Sequence, residues 1–316
     1  MKITVLDGYA LNPGDLSWDG FKNLGDVTVY ERTSPSELYN RAFGSEVLIT
    51  NKTVLDAEMM SRLPGLKYIG VIATGYNVVD VDAARKLGII VTNIPAYSTM
   101  SVAQHVFALL LAVTDRVEHY AIEVARGRWS DVRDFCFWDT PLVELSGKNF
   151  GIIGMGNIGS AVARIASALG MNVLAYTSKD SSQLPVDVTK VSLERLFSDS
   201  DVISLHCPLT PSTKELINSH TIAEMKDGVI LINTGRGGLV NENAVAEALT
   251  SGKIGAFCAD VLSTEPPAAD NPLLGAPNAY ITPHIAWATK EARERLMDIA
   301  VANLKHFIEG VPTNVV

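Results

Sequence analysis

Residues 148–177, with the sequence KNFGIIGMGNIGSAVARIASALGMNVLAYT, decide the fold of this chain. Residues 148–153 have the length and apolar content of a buried strand, and residues 154–159 supply the glycine pattern G-x-G-x-x-G. Apolar residues at helical spacing follow over 158–169, and a second apolar strand follows over 173–176. This order of strand, glycine turn, helix and strand predicts a dinucleotide-binding βαβ unit.

The three glycines of the pattern have separate roles in such a unit. Gly154 permits the tight turn, Gly156 lets the backbone approach a pyrophosphate, and Gly159 lets the helix pack closely on the strand. Free N–H groups at the start of the helix attract the phosphates. The alternative is a purely structural glycine turn, which the strands and the helix around it disfavour.

Thr177 stands at the end of the second strand, where an acidic residue would hold the ribose 2′-hydroxyl of NAD. Threonine carries no charge to repel a 2′-phosphate. Ser178 and Lys179 follow, and a hydroxyl and an ammonium can both bind phosphate oxygens. The alternative is a lysine that points into solvent. We therefore expect NADP(H) to be accepted at least as well as NAD(H).

The composition restricts the class of protein. At 316 residues, the chain has the length of about two domains, and 47% hydrophobic and 19% charged residues are ordinary for a globular enzyme. A net charge of −9 argues against a nucleic-acid partner, which would require a basic patch.

The cysteines and the apolar runs indicate the compartment. Cys136, Cys207 and Cys258 are scattered, which suits a reducing environment better than a disulfide framework. The longest apolar run, 106–113, is too short to cross a bilayer. We therefore expect a cytoplasmic protein that does not bind membranes.

Strand-length apolar runs alternate with amphipathic stretches along the chain, which predicts an α/β fold with two doubly wound parallel sheets. Further strands are predicted at 3–6, 27–30, 47–50, 68–73, 89–93, 202–206, 229–233, 254–260 and 280–282. Further helices are predicted at 34–43, 53–63, 79–87, 192–197, 213–225, 243–250 and 289–308. One long helix is predicted over 98–126, followed by an ordered aromatic loop over 127–145.

Three loops at predicted strand ends carry the charged side chains that reduction of a 2-oxo acid requires. Arg236 lies among glycines, Glu265 stands before two prolines, and His284 directly follows a strand. A guanidinium can hold a carboxylate through two hydrogen bonds, and an imidazole can transfer a proton near neutral pH. A carboxylate beside the imidazole fixes its tautomer. The structural alternatives are a loop-forming arginine and a surface acid.

A tight turn at 73–77, ATGYN, links a predicted strand to a helix in the first half of the chain. Ligands of open α/β sheets gather at such strand ends, so the turn is a candidate anion cradle made of backbone N–H groups. The alternative is a simple connecting loop.

The remaining five histidines are assigned to the surface or the core: His105, His119, His206, His220 and His306. No pair of them has the spacing of metal ligands, so we predict no metal site.

These segments resemble the D-isomer-specific 2-hydroxyacid dehydrogenases over essentially the whole chain. The motifs that carry the resemblance are GMGNIG (154–159), NTGRGGLV (233–240), Glu265 before a proline pair, TPHIAW (282–287), ATGYNVVD (73–80) and NIPAYST (93–99). The resemblance implies hydride transfer between a nicotinamide cofactor and a small 2-oxo or 2-hydroxy acid, with D stereochemistry.

The resemblance also implies roles for individual residues. It makes Arg236 the group that binds and orients the oxo acid, His284 the acid/base and Glu265 the residue that tunes it. Backbone N–H groups of Thr74, Gly75 and Tyr76 are implied to hold the substrate carboxylate, and Trp287 is predicted to line the substrate pocket. Implied cofactor contacts are Thr99, Asn157, Ile158, Thr177, Cys207, Pro208, Thr234, Arg236, Asp260 and His284. We assign Gly154, Gly156, Gly159, Ser178, Lys179 and Gly235 to the same cofactor site.

The family architecture implies a split first domain. Residues 1–98 and 287–316 are expected to form a flavodoxin-like substrate domain, into which residues 99–286 are inserted as a Rossmann cofactor domain. The cleft between the domains is expected to hold the nicotinamide beside Arg236, Glu265 and His284. The long helix after Tyr97 is expected to build a homodimer.

Within the family, the chain is most similar to the glycerate dehydrogenases, also called hydroxypyruvate reductases, because of ATGYN, NIPAYST and Trp287. A D-lactate or phosphoglycerate type of reductase is the alternative within the family, and the sequence does not distinguish hydroxypyruvate from glyoxylate. A co-repressor-like binding protein that senses the cofactor is the alternative from another class. The acidic composition disfavours it.

Overall fold

The computed structural model describes all 316 residues, which divide into two compact units. Unit 1 comprises Met1–Ser98 and Ala288–Val316, and unit 2 comprises Thr99–Trp287. The sequence analysis assigned Trp287 to the second segment of the substrate domain, and the structure groups it with unit 2 instead. One contact that links Trp287 to unit 2 is local, since its indole N–H donates to the carbonyl oxygen of His284 at 2.9 Å.

The strands and helices follow in chain order. The strands are β1 Lys2–Val5, β2 Asp26–Val29, β3 Val47–Thr50, β4 Tyr68–Val71, β5 Ile90–Thr92, β6 Asn149–Ile153, β7 Asn172–Tyr176, β8 Val188–Lys190, β9 Val202–Leu205, β10 Val229–Asn233, β11 Ile254–Ala259 and β12 Ala279–Ile281. The helices are α1 Asp19–Lys22, α2 Pro35–Ala42, α3 Ala57–Ser61, α4 Val81–Lys86, α5 Thr99–Thr114, α6 Val117–Ala125, α7 Arg128–Asp131, α8 Asn157–Ala168, α9 Leu193–Asp199, α10 Ser219–Glu224, α11 Glu242–Ser251 and α12 Lys290–Ile308.

Side chains just before the helices fix where many of them begin. A side-chain oxygen accepts a hydrogen bond from a first-turn N–H at six helices, and the capping residues are Asp56, Asp80, Ser192, Asn218, Asn241 and Thr289. Each cap satisfies a donor that has no partner within the helix.

Unit 1 is built on a five-stranded parallel sheet with the order β2-β1-β3-β4-β5. This is the flavodoxin-like order. The inner strands β3 and β4 are buried along their whole length, whereas the edge strand β2 is mostly exposed. The C-terminal residues extend the contact with β5, since the N–H of Val316 donates to the carbonyl of Val91 at 3.0 Å.

A buried arginine joins the two chain segments of unit 1. Arg293 at the start of α12 donates to both carboxylate oxygens of Asp15, at 2.7 and 2.6 Å, and to the carbonyl of Leu11 at 3.0 Å. Its Nε donates to the carbonyl of Ala288 at 3.0 Å. These bonds hold the pKa of the Asp15 carboxyl below its usual range. The buried charge is therefore fully paired, which burial of a guanidinium requires.

Unit 2 is built on a seven-stranded parallel sheet with the order β12-β11-β10-β9-β6-β7-β8. The strand order reverses between β6 and β9, as in the Rossmann fold, and ligands of such sheets bind at the carboxyl ends of the strands near this point. One face of the sheet packs against α5 and α8, with Phe107 stacked on Phe150 at 5.8 Å. The other face packs against α9, α10 and α11. The predicted fold class is confirmed.

The prediction of one long helix over 98–126 is wrong. The helix ends at Thr114, and α6 begins at Val117 with its axis turned by 56°. Arg116 has φ +50°, in the left-handed region, and a right-handed helix cannot continue through such a residue. No single helix is long and apolar enough to cross a membrane, and only the bent pair α5–α6 meets that criterion when the two are combined.

The helix predicted over 213–225 is also much shorter than expected. Glu215 has φ +50°, and Ile217 forms a parallel bridge with Val240, so the helical conformation begins only after Asn218. The sequence pattern missed β8, a three-residue edge strand, and the first residues of the aromatic loop at 127–145 form the single-turn helix α7.

Candidate active site

The glycine turn between β6 and α8 contains one glycine that the protein itself does not require. Gly154 has φ +101°, and a Cβ there would lie 2.6 Å from the amide nitrogen of Cys207. A Cβ on Gly159 would lie 2.1 Å from the carbonyl oxygen of Gly154. A Cβ on Gly156 would meet no atom within 4 Å, and its φ of −75° suits any residue. The space beside Gly156 is therefore open to a ligand.

The first turn of α8 leaves backbone donors free beside this space. Ser160 donates the first hydrogen bond, to the carbonyl of Gly156 at 3.0 Å, so the N–H groups of Asn157 and Ile158 have no acceptor in the protein. Free N–H groups and the dipole of a helix N-terminus together attract phosphate. The turn therefore fits the pyrophosphate of a dinucleotide.

Other predicted cofactor residues lie at the carboxyl ends of the neighbouring strands. Thr177 follows β7, and its hydroxyl accepts a hydrogen bond from the N–H of Lys179 at 3.2 Å. Cys207 follows β9, where burial raises the pKa of its thiol, so the thiol stays neutral. Thr234 follows β10, and its buried hydroxyl has no partner in the protein. An unpaired buried hydroxyl at this edge is a group that a bound cofactor can satisfy.

His206 lies between β9 and Cys207, and its ring contacts a residue of β9. Its Nε2 is 2.9 Å from the hydroxyl of Ser204, and burial lowers the pKa of His206 to about 4. The ring is therefore neutral at physiological pH, and it contributes no positive charge next to the glycine turn.

A buried asparagine shapes the loop that carries Arg236. Asn233 accepts a hydrogen bond from the N–H of Gly235 at 3.0 Å and donates to the carbonyl of Arg236 at 2.9 Å. The Arg236 side chain is exposed, donates to the carbonyl of Gly235 at 2.8 Å and forms no ion pair. Its guanidinium therefore remains available to a carboxylate ligand. The sequence analysis gave Asn233 no role, although an asparagine before a glycine turn is a signal for such bonds.

Gly237 connects the arginine loop to the loop that carries Glu265. A Cβ on Gly237 would lie 1.9 Å from the carbonyl carbon of Leu262, so the two backbones are in direct contact. Glu242 fixes the second loop from α11, because it accepts a hydrogen bond from the N–H of Ser263 at 2.7 Å. The loop that carries Arg236 and the loop that carries Glu265 are therefore packed directly against each other.

The imidazole of His284 and the carboxylate of Glu265 form a hydrogen-bonded pair. Nδ1 of His284 lies 2.6 Å from Oε2 of Glu265, and Oε1 of Glu265 accepts a hydrogen bond from the N–H of Leu262 at 3.2 Å. The two side chains are 35% and 34% exposed, so the pair is reachable from solvent. The carboxylate places a proton on Nδ1, and Nε2 makes no hydrogen bond in the protein. This is the geometry of a positioned general acid or base.

Asp260 anchors the segment that carries His284. The Asp260 side chain is buried and accepts hydrogen bonds from the N–H of Ile285 at 2.8 Å, the N–H of Ala286 at 2.8 Å and the hydroxyl of Thr282 at 2.6 Å. The sequence analysis gave Asp260 a cofactor contact and no structural role. The structure uses both carboxylate oxygens to hold the histidine segment, and the cofactor contact stays a prediction.

His105 on α5 supports the same anchor. Its Nε2 lies 2.9 Å from the hydroxyl of Thr282 and 3.6 Å from the carboxylate of Asp260. The sequence analysis assigned His105 to the surface or the core and did not connect it with the site. No sequence signal links the two, because 177 positions separate His105 from Thr282.

The predicted anion cradle at 73–77 lies in unit 1, after β4. The hydroxyl of Thr74 donates to the carbonyl of Ile94, and the side chain of Asn93 donates to the carbonyl of Thr74, both at 2.8 Å. The backbone N–H groups of Thr74, Gly75 and Tyr76 have no acceptor in the protein. Three free donors in one turn suit an anionic group such as a carboxylate.

No group of three His, Cys, Asp or Glu side chains is arranged to hold a metal ion. The histidines outside the site have other partners: Asp139 for His119, Glu224 for His220 and Thr313 for His306.

Comparisons with known proteins show the family of the chain. Residues 107–286 match the family model described as D-isomer specific 2-hydroxyacid dehydrogenase, NAD binding domain. The whole chain is 52% identical to a hydroxypyruvate reductase from Blautia hydrogenotrophica and 44% identical to a glycerate dehydrogenase from Methylorubrum extorquens, over 99% and 98% of those proteins. An acyclic imino acid reductase solved in complex with NADPH and D-Arg has a TM-score of 0.84 and 33% identity, with both chains fully covered.

The glycine turn generates a paired prediction. Gly156→Ala should fold normally but weaken dinucleotide binding by about 10- to 100-fold, because the added methyl group displaces a phosphate contact. Gly159→Ala should instead destabilise the protein by about 1–3 kcal/mol, because its methyl group overlaps a backbone carbonyl. Titration calorimetry with the dinucleotide and chemical denaturation measure the two effects separately. Equal loss of stability in both variants would contradict the assignment of Gly156 to the ligand.

Proposed function

The chain belongs to the D-isomer-specific 2-hydroxyacid dehydrogenases and is a nicotinamide-dependent oxidoreductase of 2-hydroxy acids, and on this premise we propose that it reduces hydroxypyruvate to D-glycerate. The full-length similarity to a hydroxypyruvate reductase and to a glycerate dehydrogenase supports this substrate. Glyoxylate, which shares the 2-oxo acid group, is the second substrate that we propose.

The observation that carries the proposed mechanism is the 2.6 Å contact between His284 Nδ1 and Glu265 Oε2. A reduced nicotinamide, when bound, supplies the hydride that C2 of the oxo acid receives. His284 donates a proton from Nε2 to the carbonyl oxygen as that oxygen gains negative charge, which completes the 2-hydroxyl group. Glu265 holds the ring in this orientation throughout. In the oxidative direction, Nε2 of His284 accepts the proton of the hydroxyl.

We assign the binding of the substrate carboxylate to two sets of donors. Arg236 has an exposed guanidinium without an ion-pair partner, and its planar shape matches a carboxylate. The free N–H groups of Thr74, Gly75 and Tyr76 in unit 1 supply the second set. A bidentate contact with Arg236 restricts the orientation of the oxo acid, and orientation lowers the barrier to hydride transfer.

Trp287 is the residue that we assign to substrate size. Its indole N–H is bonded to the carbonyl of His284, so its ring is fixed in the same segment as the acid/base. A large ring at this place favours a short group beyond C2, such as the hydroxymethyl group of hydroxypyruvate. The binding-protein alternative lacks a specific observation in its favour.

Substitution of the acid/base tests this mechanism. With hydroxypyruvate, His284→Ala should lower kcat by about 10²–10⁴-fold, because a positioned proton donor is lost, and should change cofactor affinity far less than kcat.

Arg236→Lys should raise KM and lower kcat together, because the planar fork is lost while the charge remains. Steady-state kinetics and cofactor titration measure these effects.

The matched control is His220→Ala, which removes an exposed histidine that lies beside a carboxylate at 3.5 Å. It should leave kcat unchanged. Near-normal turnover in His284→Ala would overturn the acid/base assignment. A wild-type preference for pyruvate over hydroxypyruvate would overturn the assignment of hydroxypyruvate as the substrate.

We further propose that NADP(H) is accepted at least as well as NAD(H). Thr177 stands where an aspartate would repel a 2′-phosphate, and the exposed Ser178 and Lys179 follow it. Thr177→Asp should therefore shift the preference to NADH, because a carboxylate binds the ribose hydroxyls and repels the phosphate. The ratio of kcat/KM for the two cofactors measures the preference. A wild-type preference for NADH of more than about a hundredfold would contradict the proposal.

We propose a homodimer that forms through α6 and the residues after it. Large apolar side chains are exposed along this stretch: Val117, Ile122, Val124, Trp129, Phe135, Trp138 and Leu142. An exposed apolar surface of this kind is typical of a protein interface. The combined substitution of Phe135 and Trp138 by Asp should yield a monomer in sedimentation experiments. Val186→Asp changes a fully exposed apolar residue outside the stretch and should leave the dimer intact, whereas a monomeric wild type would contradict the proposal.

We place the protein in the cytoplasm. Its three cysteines are unpaired, and Cys258 is buried with its thiol intact. Unpaired thiols suit a reducing compartment.

A further inference from the structure

We propose that Lys190 is a second cation that binds the 2′-phosphate of NADP(H), together with Lys179. The inference rests on the proposed acceptance of NADP(H) and adds a residue from another strand to that site. Lys190 lies at the end of β8, eleven positions after Lys179. It therefore lies outside both the glycine motif and β7, the strand that follows that motif.

The sheet register brings Lys190 to the residues that follow β7. In the parallel pair β7–β8, Lys190 lies opposite Ala175, and the N–H of Val191 donates to the carbonyl of Ala175 at 3.0 Å. Thr177 is only two residues beyond Ala175. Since parallel strands end at the same edge of a sheet, β8 ends beside the turn that receives the adenosine ribose in a dinucleotide fold.

The Lys190 side chain extends over this turn. Its ammonium donates to the backbone carbonyl of Lys179 at 2.5 Å. An ammonium has three N–H donors, and this bond uses one of them. The bond therefore fixes the position of the ammonium and leaves two donors for an anion.

Neither lysine has a carboxylate partner. Lys179 and Lys190 are exposed and form no ion pair, although Asp180 and Asp187 lie in the segment between them. A 2′-phosphate carries about two negative charges, and charge-assisted hydrogen bonds are the strongest interactions available to it. Two unpaired ammonium groups and the hydroxyl of Ser178 at one turn match this ligand.

Lys253 provides a matched comparison for a purely structural role. Its ammonium also donates to a backbone carbonyl, that of Met225 at 2.6 Å, but it pairs with Asp227 at 2.8 Å and precedes β11, at the amino edge of the sheet. If the bond from Lys190 to the carbonyl of Lys179 served only to hold a loop, substitution of Lys190 would resemble substitution of Lys253. Each would lower the stability of the protein without changing nucleotide binding.

The test is isothermal titration calorimetry with 2′,5′-ADP and 5′-AMP, which differ only in the 2′-phosphate and require no turnover. Lys190→Met should weaken 2′,5′-ADP binding by about tenfold and leave 5′-AMP binding unchanged, because the lost interaction is a charge-assisted bond at an exposed site. Lys190→Arg should retain most of the affinity, and Lys253→Met should bind both nucleotides as the wild type does. The difference between Lys190→Met and the wild type should decrease as salt is added.

Two results would overturn the inference. Equal loss of 5′-AMP and 2′,5′-ADP binding in Lys190→Met would show that the lysine only shapes the turn. Tighter binding of 5′-AMP than of 2′,5′-ADP by the wild type would overturn both the proposed role of Lys190 and the proposed acceptance of NADP(H). Neither measurement involves an oxo acid, so failure of the hydroxypyruvate proposal would appear separately, as absence of turnover with NADH and with NADPH.

Discussion

The buried carboxylate of Asp260 is the interaction on which the geometry of the site depends. A carboxylate that loses its hydration requires donors, and the chain supplies them from Thr282, Ile285 and Ala286, at 2.6–2.8 Å. Because these donors flank His284 on both sides, satisfying the charge also fixes the backbone of the histidine, which has φ +56°. The strength of the anchor comes from the low dielectric around it. The ring of His284, our proposed acid/base, is thus positioned by the buried charge of Asp260.

The glycines near the site belong to two physical classes. Gly154, Gly159 and Gly237 are required because a Cβ would overlap another part of the backbone, at 2.6, 2.1 and 1.9 Å respectively. Gly156 is not required by any protein contact, so the space beside it is open. Close backbone approach in the first class brings the loops together, whereas the second class leaves room for a ligand.

Parallel strand order explains why distant residues share one edge. Every strand of the seven-stranded sheet runs in the same direction, so the segments after β6, β7, β9, β10, β11 and β12 all emerge on one side. The predicted cofactor residues and the His284–Glu265 pair therefore lie on separate loops at this one edge. The same geometry brings Lys190 from β8 to the turn after β7.

The sequence by itself determined the fold class, the glycine turn and the three loops with Arg236, Glu265 and His284, because these depend on local periodicity and on residue types within short segments. Only the tertiary structure decided which side chains meet. The contact of His105 with Thr282 depends on helix packing, and the position of Lys190 depends on strand register. The break between α5 and α6 at Arg116 could not be predicted from the sequence either, since an arginine gives no local signal for a left-handed backbone. Local sequence patterns specify helices and strands. The partners of a buried charge or of a strand end depend instead on residues that are far away in the sequence.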